Sequence, residues 1–194
     1  MIVGITGGTG CGKTTALKAF ADLGGLVIDC DALYHHLLQT EPALLAAIDA
    51  RFPGTVRENT LDRKALGNLV FSDENALKDL NAVTHRFICA EVKRQIAGCK
   101  HAAIDAIALL ESDLKDLCDT TVAVTAPEDV RVARIMARDG ISEEAAMRRI
   151  AAQKKQSYFT ENCRYTLENN GTAAEFYDKC LTFFKGLGIM KKGN

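Results

Sequence analysis

The sequence predicts an α/β fold, because short apolar runs rich in β-branched residues alternate with stretches of helical pattern. The first such run breaks into glycines and is followed by a predicted helix from residue 13 to about residue 23. Parallel neighbours in a sheet need crossover connections, so this alternation predicts a parallel sheet with helices on both faces. We expect five strands, at residues 2–6, 26–29, 102–107, 121–125 and 165–168.

The strands are unevenly spaced along the chain. About seventy residues separate the second from the third, and this interval is helical in pattern with breaks at Pro42, Pro53 and Gly67. It therefore predicts a helical insertion. After the fourth strand we expect one helix that ends at Gly140 and another that begins at Ser142, whose side chain is suited to cap it.

Length and composition narrow the class of protein. A chain of 194 residues that is 47% hydrophobic and 25% charged is expected to form one main globular domain. A net charge of -1 argues against a nucleic-acid-binding protein. No apolar run approaches the roughly 18 residues of a membrane span and no targeting segment is evident, so we expect a cytoplasmic protein. Nothing indicates an obligate protein partner. The seven scattered cysteines are interpreted as reduced thiols, and a zinc site is not expected.

The segment 7–14, Gly-Gly-Thr-Gly-Cys-Gly-Lys-Thr, fits the P-loop pattern G-x-x-x-x-G-K-[ST] between a strand and a helix. The backbone N–H groups of such a loop surround phosphate oxygens, Lys13 reaches the β and γ phosphates, and Thr14 can hold Mg²⁺. The thiol of Cys11 is given no redox role. The predicted ATP-binding residues of this segment and the residue after it are Gly8, Gly10, Cys11, Gly12, Lys13, Thr14 and Thr15.

A P-loop alone does not distinguish a kinase from a GTPase. The guanine signature N-K-x-D is absent from the sequence, and D-x-x-G occurs only at residues 22–25, at the end of the P-loop helix. Asp29 and Asp31 instead end the second strand, and ligands of open α/β sheets bind at the carboxyl ends of strands. For Asp31 two interpretations stay open, a catalytic carboxylate and the N-cap of the following helix.

The chain resembles the dephospho-coenzyme A kinase family in an ordered set of short matches that covers most of its length. Besides the P-loop these are Asp29-Cys30-Asp31, Leu61-Asp62-Arg63, His85, Leu109-Leu110-Glu111, Arg134 with Arg138, Gln153 and Asn169-Asn170-Gly171. The resemblance implies a P-loop three-layer fold that carries a five-stranded parallel sheet, a helical substrate-binding insertion and a helical lid. It also implies transfer of the γ-phosphoryl group of ATP, with Mg²⁺, to the ribose 3′-hydroxyl of dephospho-CoA, the last step of CoA biosynthesis.

The same resemblance implies a role for each matching residue. Asp31 would be the general base, Lys13 and Arg138 would act on the ATP phosphates, and Asn169 would lie near adenine. The acceptor would be bound by Arg63, His85 and Glu111. The nucleotide-binding core would comprise residues 1–31, 84–133 and 162–194, the CoA-binding insertion residues 32–83, and the lid residues 134–161.

Three positions depart from the family pattern. His35 stands where arginine is usual, and Arg86 and Ile107 stand where proline is usual. The two lost prolines affect local rigidity, whereas the change at His35 bears on acceptor binding.

Some candidate residues also have a plain structural interpretation. His85 could be a helix residue bonded to a polar neighbour, and Glu111 a surface carboxylate. Arg131, Arg134 and Arg138 recur at helical spacing, which ordinarily indicates a solvated basic face. We assign Arg138 to the phosphates and leave Arg131 with the solvated face.

Two alternative functions remain open from sequence. The first is a kinase of a nucleoside monophosphate or another small metabolite, which a screen of acceptors would identify. The second is a nucleotide-dependent regulatory module, for which an ATPase rate that depends on a partner and not on an acceptor would be diagnostic.

Overall fold

The computed structural model describes residues 1–70 and 72–190; the C-terminal segment 191–194, which the sequence predicts to fray, lies outside the described residues. The strands are β1 (Ile2–Thr6), β2 (Leu26–Asp29), β3 (Val56–Arg57), β4 (Thr60–Leu61), β5 (Ala102–Asp105), β6 (Thr120–Thr125) and β7 (Tyr165–Glu168). The α-helices are α1 (Lys13–Asp22), α2 (Cys30–Thr40), α3 (Pro42–Arg51), α4 (Arg63–Val70), α5 (Glu74–Ile96), α6 (Glu128–Asp139), α7 (Glu143–Ala151), α8 (Gln156–Asn162) and α9 (Ala173–Gly186). The chain divides into two compact units, residues 1–28 with the chain from residue 98 onward, and residues 29–97.

The first unit is built on a five-stranded sheet in the order β2-β5-β1-β6-β7. β1 pairs in parallel with β5 and β6, and β6 pairs in parallel with β7. The predicted α/β fold with a five-stranded parallel sheet is confirmed. Strand β5, which we expected at residues 102–107, ends at Asp105, and Ile107 is exposed. In this order β1 lies between β5 and β6, so the strand order changes direction at β1. Open sheets bind ligands in the crevice at the carboxyl ends of the strands at such a point.

Helices α1 and α9 pack together over the sheet, and the large aromatic side chains of the two helices are buried against its apolar residues. Phe20 and Phe184 meet edge to face with their ring centroids 5.1 Å apart, and both are fully buried with Phe176. This arrangement suits the aromatic quadrupole and buries a large apolar area. The helix that carries the P-loop lysine is therefore anchored from its middle onward.

Helices α6 and α7 form a smaller apolar cluster, in which Val132, Ile135 and Ala146 are buried. Their connection follows the expected pattern. Gly140 ends α6 in the left-handed conformation (φ 64°), and the Ser142 hydroxyl accepts a hydrogen bond from the Ala145 N–H at the start of α7. Both predicted helix boundaries are confirmed.

The second unit is mainly helical, as expected for the insertion, but it also contains a short hairpin. β3 and β4 pair in antiparallel fashion across a turn in which Glu58 (φ 49°) and Asn59 (φ 58°) are both left-handed. A wholly helical insertion is therefore wrong for residues 56–61. Helix α5 runs without a break through residue 83, where we placed the end of the insertion. The functional division into core, CoA-binding insertion and lid stays a prediction.

The start of α2 corrects one interpretation of Asp31. The Asp29 carboxylate is the N-cap, because its Oδ1 accepts hydrogen bonds from the backbone N–H groups of Asp31 (2.9 Å) and Ala32 (3.0 Å). Asp31 lies inside the first turn, where its charge complements the helix dipole. The interpretation of Asp31 as the N-cap is wrong.

Among the described helices, none has both the length and the apolar composition needed to cross a bilayer.

Candidate active site

The P-loop connects β1 to α1, and its glycines are required by close contacts as well as by backbone angles. At Gly7 (φ 141°) an added Cβ would lie 2.3 Å from the Val124 carbonyl oxygen. At Gly12 (φ 100°) it would lie 2.2 Å from the Asn169 amide nitrogen. Neither position can accept a larger residue without displacing neighbouring atoms, since such distances are below van der Waals contact.

Three side chains bind consecutive carbonyl groups of the loop. Arg131 Nε donates to the Thr9 oxygen (2.9 Å), Arg134 Nη1 to the Gly10 oxygen (3.4 Å) and Asn169 Nδ2 to the Cys11 oxygen (2.9 Å). The peptide bonds are all trans among the described residues, so each carbonyl points opposite to the N–H of the following residue. The carbonyls of Thr9 and Cys11 are thus held on one side, and the N–H groups of Gly10 and Gly12 face the other.

The end of the loop supplies the charge that a phosphate would meet. Lys13 Nζ donates a hydrogen bond to the Gly7 carbonyl oxygen (2.9 Å), which folds the side chain back along the loop. No side chain caps the N-terminus of α1, whose preceding residue is Gly12. Thr14 is exposed in the first turn and Thr15 is half-buried. An uncapped helix N-terminus following a glycine-rich loop is suited to bind an anion.

The Cys11 carbonyl is bound by Asn169 and the Cys11 N–H donates to the Gly8 carbonyl, while the thiol is buried. The expected contact of Cys11 with ATP stays a prediction. Burial raises the pKa of the thiol, and the positive charges of Lys13 and Arg131 oppose this increase only in part. A raised pKa lowers the fraction of reactive thiolate. The predicted absence of a redox role is consistent with these surroundings.

Asp105 was not identified from the sequence, although it ends the strand next to β1. It is in register with Ile5, one residue before the end of β1, and its negative charge contributes to the raised pKa of Cys11. The carboxylate therefore lies near enough to Cys11 for the two side chains to interact electrostatically. The signal was present in the run Ala-Ala-Ile-Asp at 102–105, an apolar strand that ends in an aspartate at the ligand-binding edge of the sheet.

Arg131 lies under the P-loop and not on a solvated face, so that expectation is wrong. Its side chain is only 5% exposed and its guanidinium contacts the loop at Thr9. Arg134, one turn further, donates to Asn169 Oδ1 (3.1 Å) as well as to the loop. Helix α6 follows β6, which is the neighbour of β1 in the sheet, so the start of α6 lies beside the P-loop. The helical spacing of the arginines in the sequence does not indicate this position.

Asn169 is 3% exposed, and both ends of its amide are hydrogen-bonded, to the Cys11 carbonyl and to Arg134. The structure thus places it behind the P-loop. Contact with adenine stays a prediction.

Arg138 is further along α6 and its side chain is 61% exposed. Its guanidinium donates two hydrogen bonds to the Asp139 carboxylate, and the pKa of Asp139 is lowered mainly by this contact. Arg149 from α7 pairs with the same carboxylate. The assignment of Arg138 to the ATP phosphates is untested by this arrangement and stays a prediction.

The predicted acceptor-binding residues are distributed over both units. Glu111 lies in a 3₁₀ turn of the first unit. The pKa of Tyr158 in α8 is raised, first by burial of the phenol and next by the charge of Glu111 and its hydrogen bond. In the second unit Arg63 begins α4, and its Nη2 lies 3.3 Å from His35 Nδ1. Arginine only donates hydrogen bonds, so His35 Nδ1 is the acceptor in a hydrogen bond between these two nitrogens. His85 is half-buried within α5.

Metal binding by side chains alone has little support. Among residues 1–70 and 72–190, no group of three or more histidine, cysteine, aspartate or glutamate side chains could hold a metal ion. A cation at this site would therefore need ligands from a bound nucleotide in addition to those of the protein.

Comparison with known proteins identifies the family. The family model for dephospho-CoA kinase matches residues 1–175. A dephospho-CoA kinase of Thermobifida fusca is 35% identical over 178 residues, covering 89% of each chain. One of Geobacter sulfurreducens is 34% identical and covers 90% of this chain and 92% of its own.

Comparison with solved structures supports the same family. A crystal structure from Thermus thermophilus superposes with a TM-score of 0.82 at 31% identity, covering 100% of this chain and 98% of its own. Dephospho-CoA kinase from Campylobacter jejuni gives 0.68 at 25% identity, with 96% of both chains covered. A shikimate kinase from Bacteroides thetaiotaomicron, with a TM-score of 0.58 at 18% identity and 96% and 97% coverage, shares the fold. The resemblance found in the sequence is confirmed, and the chain belongs to the dephospho-CoA kinase family.

Proposed function

We propose that this chain transfers the γ-phosphoryl group of ATP to the ribose 3′-hydroxyl of dephospho-CoA and thereby produces CoA. Its membership of the dephospho-CoA kinase family supports the acceptor. The observation that carries the nucleotide half is the P-loop, whose Thr9, Gly10 and Cys11 carbonyls are bound by side chains on one side. This leaves the N–H groups of Gly10 and Gly12 as donors for phosphate oxygens, as phosphoryl transfer requires.

Lys13 would change partners when ATP binds. Its ammonium group now donates to the Gly7 carbonyl, a neutral acceptor within the loop. A phosphate oxygen carries more negative charge and forms a stronger, charge-assisted hydrogen bond. Lys13 would therefore leave Gly7 and bridge the β and γ phosphates, stabilising the charge that develops during transfer.

Mg²⁺ is the expected metal, and the first unit offers two hard oxygen donors for it. Thr14 is exposed in the first turn of α1, and Asp105 ends the strand next to β1. A threonine hydroxyl and a strand-end aspartate are the protein ligands of Mg²⁺ in P-loop enzymes, and the phosphates and water complete its shell. Bound Mg²⁺ would neutralise phosphate charge. Without it the protein would still bind nucleotide through the loop, but weakly.

Asp31 would accept the proton of the 3′-hydroxyl. Of the two aspartates at this position, Asp29 already binds two backbone N–H groups as the helix cap. Asp31 has no such structural duty, so its carboxylate is the better candidate for a general base. A positioned base contributes about 10²–10⁴-fold to the rate of such a step.

The acceptor would be held by Arg63, His85 and Glu111, within and beside the predicted insertion. Arg63 supplies a planar cation suited to the anionic acceptor. Its contact with His35 is informative, because an arginine at position 35 would place two cations side by side, whereas histidine can accept a hydrogen bond there. We propose that His35 orients Arg63 and does not itself contribute charge.

Arg138 would reach the phosphates when the lid closes. To do so its guanidinium must leave Asp139, which is an exposed contact on the Arg138 side. Such surface ion pairs contribute only about 0–1 kcal/mol, so the exchange is inexpensive. Asp139 would keep Arg149 as its partner. A cation that arrives only on closure stabilises the reacting complex and helps to exclude water.

Mass spectrometry of the acceptor tests the proposal. Dephospho-CoA incubated with ATP·Mg²⁺ and the purified chain should gain one phosphoryl group, whereas samples with Lys13→Ala or without Mg²⁺ should not. The same assay applied to nucleoside monophosphates tests the neighbouring class of kinase. Preferred phosphorylation of a nucleoside monophosphate, or ATP hydrolysis that needs a partner and leaves every acceptor unmodified, would contradict the proposal.

A further inference from the structure

Arg131 is a buried cation whose position resembles neither a surface residue nor an ordinary ion pair. Its side chain is 5% exposed, and no carboxylate among the described residues forms a salt bridge with it. Nε donates to the Thr9 carbonyl, while Nη2 is buried without a hydrogen-bond partner in the part of the chain that the structure describes. An added Cβ at Gly8 would lie 2.4 Å from Nη2, so the guanidinium packs directly against the loop.

Stability alone does not account for this arrangement. Burying a charged group with an unsatisfied donor costs free energy, and an apolar side chain of similar size would avoid that cost. Buried polar atoms without partners are few in native proteins and call for a specific explanation. The contact with the nucleotide-binding loop provides one.

The bond to Thr9 sets the direction of a phosphate-binding donor. The Thr9 carbonyl and the Gly10 N–H belong to one planar trans peptide, so holding the carbonyl toward α6 turns that N–H to the opposite side. Thr9 and Gly10 are the central residues of a turn that the Cys11 N–H closes on the Gly8 carbonyl, and because glycine adopts either sign of φ, the central peptide of this turn can face either way. The hydrogen bond from Arg131 to the Thr9 carbonyl holds it in one direction.

A second contact holds the preceding peptide independently. Gln153, just beyond α7, accepts a hydrogen bond from the Thr9 N–H at 2.8 Å, and the Gly8 carbonyl on the other side accepts from the Cys11 N–H at 3.4 Å. Gln153 therefore controls the peptide between Gly8 and Thr9. The two side chains act on different peptide planes, which allows their effects to be separated.

We propose that Arg131 is a positioning residue for phosphoryl transfer, which orients the Gly10 N–H toward the nucleotide phosphates through the Thr9 carbonyl. This inference rests on nucleotide binding within the proposed function and is independent of the acceptor. It can therefore fail while dephospho-CoA remains the acceptor, and it can hold if another acceptor is found.

Selective ¹⁵N-glycine labelling provides a direct test, since the chain has 15 glycines. Adding ADP·Mg²⁺ to the wild-type protein should shift the Gly10 and Gly12 amide signals, because both N–H groups gain a phosphate acceptor. In Arg131→Gln the Gly10 shift should be largely lost, while the Gly12 shift should persist because Asn169 still holds the Cys11 carbonyl. Turnover should follow, with kcat falling by at least about tenfold, since small displacements of catalytic groups have effects of this size.

Two other variants separate the roles of geometry and charge. Gln153→Ala should keep the Gly10 shift, because it leaves the Thr9 carbonyl bound. Arg148→Gln, an exposed arginine of α7, should match the wild type in both shift and kcat. Where Arg131→Gln does not fold, Arg131→Lys decides, because it keeps the charge without the planar Nε–H group. A full Gly10 shift and wild-type kcat in either folded Arg131 variant would overturn the proposal.

Discussion

Replacing Asn169 by alanine tests the role that the structure gives this side chain, and the expected cost can be worked out from its contacts. Asn169 lies behind the P-loop, 3% exposed, with Nδ2 bound to the Cys11 carbonyl and Oδ1 bound to Arg134. Alanine removes both bonds. It also leaves the Cys11 carbonyl without this partner in a site too enclosed for easy access by water.

The magnitude follows from the kinds of bond that are lost. A neutral hydrogen bond contributes about 0.5–1.5 kcal/mol net, and one to a charged group about 1.5–3 kcal/mol. Arg134 is only partly buried and can regain water, so we count the lower end of that second range. The expected loss is about 2–3 kcal/mol in the free energy of unfolding. For a chain of this length that corresponds to a fall in Tm of roughly 4–12 °C.

The assay is thermal unfolding without nucleotide, with ATP affinity measured on the folded protein. Asn170→Ala is a matched control, because the neighbouring side chain is exposed and its hydrogen bond to Glu168 is long, at 3.5 Å. It should change stability by no more than about 0.5 kcal/mol. ATP affinity should fall in Asn169→Ala, because the Gly12 peptide is no longer held, and should be unchanged in the control. Equal Tm values for the two variants would refute this account of Asn169.

The remaining predictions concern the catalytic groups. Lys13→Ala should abolish measurable turnover while retaining part of the ATP affinity, since it removes the charge that bridges the phosphates; near-wild-type kcat would contradict phosphoryl transfer at this loop. Asp31→Asn should lower kcat by at least roughly a hundredfold with Tm unchanged, whereas Asp29→Ala should cost about 1 kcal/mol of stability by removing the helix cap; an early-melting Asp31→Asn with normal turnover would reverse the two roles. Arg138→Ala should reduce kcat more than ATP affinity, and lysine should restore only part of it, because a point charge lacks the planar fork; lost affinity with unchanged kcat would indicate a ground-state contact instead.

The parts of the fold that were predicted correctly are those that local sequence determines. The strands β1, β2, β5 and β6 are short, mainly apolar runs, and the helix boundaries at Gly140 and Ser142 follow from backbone preference and capping. The P-loop could be identified because its whole mechanism is contained in eight consecutive residues. Family membership followed from the order of many weak matches along the chain.

The errors occur where structure depends on contacts that sequence spacing does not record. β3 and β4 have two residues each, too few to show a period, and their turn uses Glu58 and Asn59 without glycine. Helical spacing correctly placed Arg131 and Arg134 on one face of α6. It could not show that this face packs against the P-loop near its start and is exposed to solvent further along.

The candidate site was accordingly predicted in part. The loop was identified from the sequence, and the roles of Lys13 and Thr14 in it stay predictions. The side chains that hold the loop carbonyls were not recognised as such. Asp105 was missed although its position at a strand end was visible. The sequence left Asp31 open as the N-cap of α2, but the helix begins at Cys30 and Asp29 is its cap. A difference of two residues is within the normal uncertainty of a helix boundary.

The position of the transferred phosphate is the most direct test of the central claim. Product made from ATP·Mg²⁺ and dephospho-CoA by the wild-type chain should be analysed by a ³¹P–¹H correlation spectrum, with adenosine monophosphate as a parallel acceptor. The account predicts a new phosphomonoester signal coupled to the ribose H3′ of dephospho-CoA and no phosphorylated product from adenosine monophosphate. A phosphate on any other hydroxyl, or release of inorganic phosphate with dephospho-CoA unchanged, would contradict it.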